Sequence, residues 1–206
     1  MNKPVVEFIF DFASPNAYMA LKVLPKIASQ NGAEIKLFPC LLGGIFKLTG
    51  NQAPFNAFAC IKGKLEYERL EMQRFIELHK LQAFRMNPHF PINTLGLMRG
   101  MVAAQHMGVA NEYLDIVLGG MWEAGEKMDD PAVFLACLNK GGLDGQRLIE
   151  HANSPDVKAE LVANTDAAAT RGVFGIPTFF VGDEMFFGKE RIGQIEDLLK
   201  RMAASA

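Results

Sequence analysis

The sequence predicts an α/β protein whose strands sit at its two ends and whose middle is all helix. Three observations carry this prediction. Residues 5–39 read strand, helix, strand. Residues 177–202 read strand, strand, helix. The long interval between them has helical periodicity and no strand signal. The 206-residue chain is 50% hydrophobic, which suits one compact soluble domain with an inserted lobe.

The elements follow in order. Val5 to Phe12 is rich in β-formers and alternates in part, so it reads as a strand. From Pro15 to about Ser29, Tyr18, Leu21, Val23, Leu24 and Ile27 approximate helical spacing, and Asn31-Gly32 ends that helix. EIKLFP, from Glu34 to Pro39, is a second strand, and the β-α-β order predicts a parallel pair with a crossover helix. Residues 40–53 are glycine-rich and predict a loop or a short helical turn. One long helix is expected from Pro54 to about His79, on Phe58, Ile61, Leu65, Met72 and Phe75.

After the proline-punctuated connector 84–93, helices are expected at about 94–107, 111–125, 131–139, 144–151 and 155–173. Asp130-Pro131 and Ser154-Pro155 each place a capping side chain before a proline at the first helical position. PTFFV and EMFF flank Gly182-Asp183 as a hairpin, and 189–202 is a final amphipathic helix. The two ends together predict a thioredoxin-like sheet domain over 1–48 and 174–206, with an all-helical insertion over 49–173.

Composition narrows the function. A net charge of −2 suggests neither nucleic acid nor an anionic membrane as partner, and no apolar run approaches a membrane span. The start MNKPVVEFIFDF lacks the basic segment, apolar core and cleavage site of a signal peptide, so a cytoplasmic protein is expected. Cys40, Cys60 and Cys137 are odd in number and widely spaced. They predict neither a disulfide framework nor a zinc site, and the four histidines lack metal-ligand spacing, so no metal is expected.

In a thioredoxin-like fold the first strand-to-helix turn carries the chemistry. Redox members place Cys-x-x-Cys there, because a helix N-terminus stabilises a thiolate. Here the turn is Ser14-Pro15-Asn16-Ala17. Without a sulfur it cannot exchange disulfides. Ser-Pro at a helix start is also ordinary capping chemistry, and the chain uses the same pair at Ser154-Pro155. Ile176-Pro177 occupies the position of the proline that opens the third strand in this fold, where a cis bond is expected beside the first-helix turn.

Four segments in order, FDFASPNAYMAL, LLGGIFKLTGN, NPHFPINTL and FGIPTFFVGDEMFFGKERI, resemble the 2-hydroxychromene-2-carboxylate isomerase family nearly end to end. That family is a sister of kappa-class glutathione transferases and DsbA-type oxidoreductases. The resemblance implies glutathione as cofactor, a homodimer and a small aromatic substrate. It makes Ser14 the catalytic contact to the glutathione sulfur. It places the rest of glutathione against Asn51, Ile176, Pro177, Gly188, Lys189 and Glu190, and the substrate against Lys47 and Asn87. Lys189 and Glu190 depart from the small polar residue and Asp usual at those positions.

A serine hydroxyl and the positive end of a helix both favour the thiolate of a bound thiol, whose ordinary pKa is about 8.5. Ser14 would thus stabilise a borrowed nucleophile, since no histidine is placed to activate the serine itself. The implied activity is interconversion of 2-hydroxychromene-2-carboxylate and trans-o-hydroxybenzylidenepyruvate, or of a related aromatic pair, by reversible thiolate addition. Two alternatives stay open: a kappa-like transferase acting on other electrophiles, and a non-catalytic DsbA-like peptide-binding module.

Overall fold

A computed structural model describes residues 3–204. Strand β1 (Val5–Phe10) leads through a three-residue turn into helix α1 (Pro15–Gln30). Strand β2 (Glu34–Pro39) returns parallel to β1, in register from Val5 against Glu34 to Phe10 against Pro39. At the far end of the chain β3 (Thr178–Val181) pairs antiparallel with β1, Ile9 opposite Thr178, and β4 (Glu184–Phe187) pairs antiparallel with β3. The order β2-β1-β3-β4 puts the two most apolar strands at the centre. Val6, Phe8, Ile9 and Phe10 are fully buried, and all four residues of β3 are buried, as strands covered on both faces require. This is the predicted thioredoxin-like arrangement.

Between β2 and β3 run α2 (Leu42–Thr49), α3 (Pro54–Ala57), α4 (Lys64–His79), α5 (Leu95–His106), α6 (Ala110–Gly119), a π-helical turn (Gly120–Ala124), α7 (Pro131–Lys140), α8 (Gly145–Ala152) and α9 (Pro155–Thr170). A 3-10 turn (Lys189–Arg191) and α10 (Ile192–Ala204) close the chain. Asp130 and Ser154 cap α7 and α9 as predicted.

Two expectations are corrected. The glycine-rich stretch at 42–49 is helix α2, which ends at Gly50 in the left-handed conformation that suits glycine. The single helix expected over 54–79 is two, because Gly63 adopts φ 82° ahead of α4 and breaks the run that Phe58 and Ile61 continue in apolar spacing.

The core is continuous from the sheet into the helical block. Trp122 is its largest fully buried side chain. It donates its indole N–H to the Phe12 carbonyl (3.0 Å) and lies about one ring from Phe84 and Phe90 (6.0 Å each). The block is thereby anchored on the turn that precedes α1. The predicted boundary at 48/49 falls one residue before the end of α2, and the predicted outer limits, 1 and 206, lie outside the described residues. Among the described residues no helix is long and apolar enough to cross a membrane.

Candidate active site

β1 delivers the chain to Asp11, the turn reverses through Phe12 and Ala13, and Ser14 caps α1 in an extended conformation. Its hydroxyl accepts from the Ala17 N–H (3.2 Å), the ordinary capping bond. The same hydroxyl donates to the carbonyl of Ile176 (3.2 Å), a partner 162 positions away. Ser14 is 5% exposed and Ile176 7%. The pairing of β1 with β3 makes this contact, since Ile9 opposite Thr178 brings the two loop ends together. Ile176-Pro177 is cis, as expected for this fold. No acidic side chain stands in the first turn of α1 itself; the acid that precedes Ser14 is Asp11, in the turn.

Around this pair lie other predicted residues. The Gly188 N–H donates to the Pro177 carbonyl (2.9 Å), which seats the 3-10 turn beside the cis proline; Gly188 has φ 94°. Lys189 is only 4% exposed. Its ammonium is ion-paired with Glu190 and sits 5.2 Å from the Phe75 ring of α4. The amphipathic helix expected from residue 189 thus opens with a buried cation in a 3-10 turn.

Asn51 donates to the Phe174 carbonyl (2.7 Å), two residues before Ile176, so its position is tied to the site. Lys47 is exposed on α2. Asn87 lies apart from these: it is 3% exposed, its amide donates to the Met121 and Glu126 carbonyls, and its oxygen accepts from His89 N–H. Both amide hydrogens and the carbonyl oxygen have protein partners, so Asn87 braces the turn in which it sits.

All three cysteines are free thiols. Cys40 is buried, and burial first, then the Asp11 and Glu7 charges, push its thiol well above the usual range. Burial likewise raises the Cys137 thiol, while Cys60 is exposed beyond α3. Among the described residues no group of three His, Cys, Asp or Glu could hold a metal ion.

Sequence reasoning missed Asp11 and Thr94. Asp11 is a fully buried carboxylate that accepts from Ala13 N–H, Leu42 N–H and the Thr94 hydroxyl. Burial raises its pKa against the opposing pull of those three donors. The signal was an acid inside the apolar run FIFDF. A concavity of about 910 Å³ beside His106, Arg147 and His151 contains none of the predicted site residues.

A thioredoxin-like sheet with a helical block, a cis proline and a helix N-terminus that offers a hydroxyl define a class, and the chain belongs to it: the DSBA-like thioredoxin domain family matches residues 5–200. Within that family the chain sits among isomerases and kappa-class glutathione transferases. It is 31% identical to a 2-hydroxychromene-2-carboxylate isomerase of Pseudomonas putida, over 96% of this chain and 95% of that one. It is 27% identical to glutathione S-transferase kappa 1 of Homo sapiens, over 94% and 90%. A solved structure of 2-hydroxychromene-2-carboxylate isomerase superposes with a TM-score of 0.81 at 28% identity, covering 98% of this chain and 97% of the other. Pseudomonas aeruginosa DsbA, at 16% identity and a TM-score of 0.59, shares the fold.

Proposed function

We propose that the protein is a glutathione-dependent isomerase of the 2-hydroxychromene-2-carboxylate type, with Ser14 as its catalytic residue. One observation carries the reading: the Ser14 hydroxyl stands at the open end of α1 and spends its proton on the Ile176 carbonyl. Among the described residues the Ile176 N–H has no hydrogen-bond partner. The pair therefore offers what an extended cysteinyl backbone needs: a free donor, and an acceptor held by a rotatable hydroxyl. When the cysteinyl N–H takes the Ile176 carbonyl, the Ser14 O–H is released to turn toward the sulfur. The exchange leaves the Ile176 carbonyl partnered throughout, gives its N–H a partner, and delivers a hydrogen bond to the thiolate only when the cofactor is seated.

Bound glutathione would supply a thiolate that adds to the conjugated ring and leaves again, freeing a locked bond to rotate in between. The protein's part is to hold that thiolate, orient the substrate and exclude water. Lys189 and Glu190, beside Gly188 and the cis proline, are the partners assigned to the γ-glutamyl carboxylate and ammonium. Asn51, through its bond to Phe174 O, fixes the opposite wall. Lys47 is assigned to the substrate carboxylate. Phe174 and Phe187 pair at 4.6 Å and remain about 40% exposed, and Phe55 pairs with Phe90 at 6.0 Å; these rings suit an aromatic substrate.

A cytoplasmic location, where glutathione is kept reduced, fits this chemistry. A homodimer fits the exposed Tyr67, Leu70 and Leu78 on α4, a helix with no buried residue.

The test is isomerisation of 2-hydroxychromene-2-carboxylate with and without glutathione. Turnover that requires glutathione supports the reading. Conjugation of other electrophiles without isomerisation would select the kappa-like transferase. The absence of any thermal shift at millimolar glutathione would select the peptide-binding module and refute the cofactor.

A further inference from the structure

The buried carboxylate of Asp11 has no part in the chemistry above, yet it ties the turn before Ser14 to the starts of α2 and α5. It is 0% exposed. Its Oδ1 accepts from the Ala13 N–H (2.9 Å), an Asx turn that shapes the approach to Ser14, whose own N–H donates to the Asp11 carbonyl (3.2 Å). Oδ1 also accepts from the hydroxyl of Thr94 (2.7 Å), the residue that begins α5. Oδ2 accepts from the Leu42 N–H (2.7 Å), the first amide of α2. The α2 cap position is Leu41, which has no side-chain acceptor to offer, so Asp11 supplies the missing cap from another segment.

Following α2 to its end closes a ring. Asn51 lies just beyond Gly50, Asn51 holds Phe174 O, Ile176 is two residues further, and Ile176 O holds the Ser14 hydroxyl. Ser14 returns to Asp11 through the turn. Three short bonds on one buried carboxylate thus link the catalytic turn to the starts of α2 and α5.

We propose that Asp11 is a positioning residue: with Thr94 as its second anchor, it locks this ring and so fixes the Ser14 hydroxyl against Ile176. The proposal rests on the reading of Ser14 as the thiolate contact, and its test separates the two. All three partners donate, so the carboxylate acts in its acceptor form, and Thr94 is the one partner whose removal changes neither backbone nor formal charge.

Thr94→Val and Thr94→Ser are compared with the native protein in two measurements. The first is amide hydrogen exchange without ligand at Ala17, the amide bonded to Ser14 Oγ, and at Leu42, with Val157 in the cap of α9 as control. The second is the ultraviolet titration of bound glutathione thiol. In Thr94→Val, exchange at Ala17 and Leu42 is expected to quicken about tenfold with Val157 unchanged. The bound thiol's pKa is expected to rise about one unit. Thr94→Ser restores both. Asp11→Asn adds a test of sign: loss of a nearby negative charge by itself lowers the thiol pKa, whereas loss of positioning raises it.

Unchanged exchange at Ala17 and Leu42 in Thr94→Val overturns the proposal. So does a bound thiol whose pKa is low in the native protein and stays low in that variant. If the native protein binds no glutathione, the cofactor reading falls, and the exchange data alone decide whether Asp11 locks the ring.

Discussion

The chain begins two of its helices with the same dipeptide, and the two serines differ in one decisive respect. Ser14 and Ser154 both cap a sixteen-residue helix, both precede a proline at the first helical position, and both accept from an amide three residues on. Ser154 stops there, with a long bond of 3.4 Å to Val157. Ser14 is more deeply buried and also donates across the fold to Ile176. The second positions differ too: Asn16 in α1, Asp156 in α9. An acid is the ordinary complement to a helix N-terminus, and α1 forgoes it. Capping is therefore common to both sites. What sets α1 apart is that its donor faces a loop from the other end of the chain and that its own first turn carries no acid.

Substitutions can break or sharpen that comparison. The largest effect is expected from Ser14→Ala, which removes the hydrogen bond to the thiolate. Turnover should fall on the order of 100-fold or more, as loss of one donor to a catalytic anion does, with about 1 kcal/mol lost in thermal melts. Native-like turnover would reduce Ser14 to a second Ser154. Next is Asn16→Asp, which gives α1 the acid that α9 carries. The added charge should raise the pKa of bound glutathione by about one unit, read from the pH profile of turnover. Ser154→Ala should lower stability by about 1 kcal/mol in denaturant titrations and leave turnover at the native value. Smallest is Asp156→Asn, expected to cost about 0.3–1 kcal/mol in the same titrations and to leave the thiol titration unmoved.

The two ends of the fold were readable because aromatic and β-branched runs are bounded by turn residues, and because Pro-initiated helices announce their starts. The middle was readable wherever local signals agreed, as at Asp130-Pro131. Helix α2 was hidden because Gly43 and Gly44 are poor helix formers. What holds it lies elsewhere: Asp11 caps its first amide, Thr165 accepts from Leu41 N–H (3.0 Å), and Gly44 packs so near that a Cβ would come within 2.7 Å of Thr165. Glycine is needed there for approach to α9. Periodicity could not show that Gly63 would turn left-handed and divide the expected long helix.

The site was legible in part for the same reason. Ser14 and Ile176-Pro177 are marked by motif, and sheet pairing brings them together. The burial of Lys189 against Phe75 and the saturation of Asn87 depend on helices packed from remote parts of the sequence. No local pattern encodes those contacts. Asp11 shows the limit most clearly, since its three donors come from residues 13, 42 and 94.

The central claim is that a hydroxyl at the start of α1 holds a sulfur anion borrowed from glutathione. A crystal structure of the glutathione complex tests it most directly. The account predicts the sulfur within hydrogen-bond reach of Ser14 Oγ, with the cysteinyl N–H on Ile176 O in place of the serine proton. A tripeptide bound elsewhere, or one whose sulfur turns away while Ser14 still donates to Ile176, would contradict it.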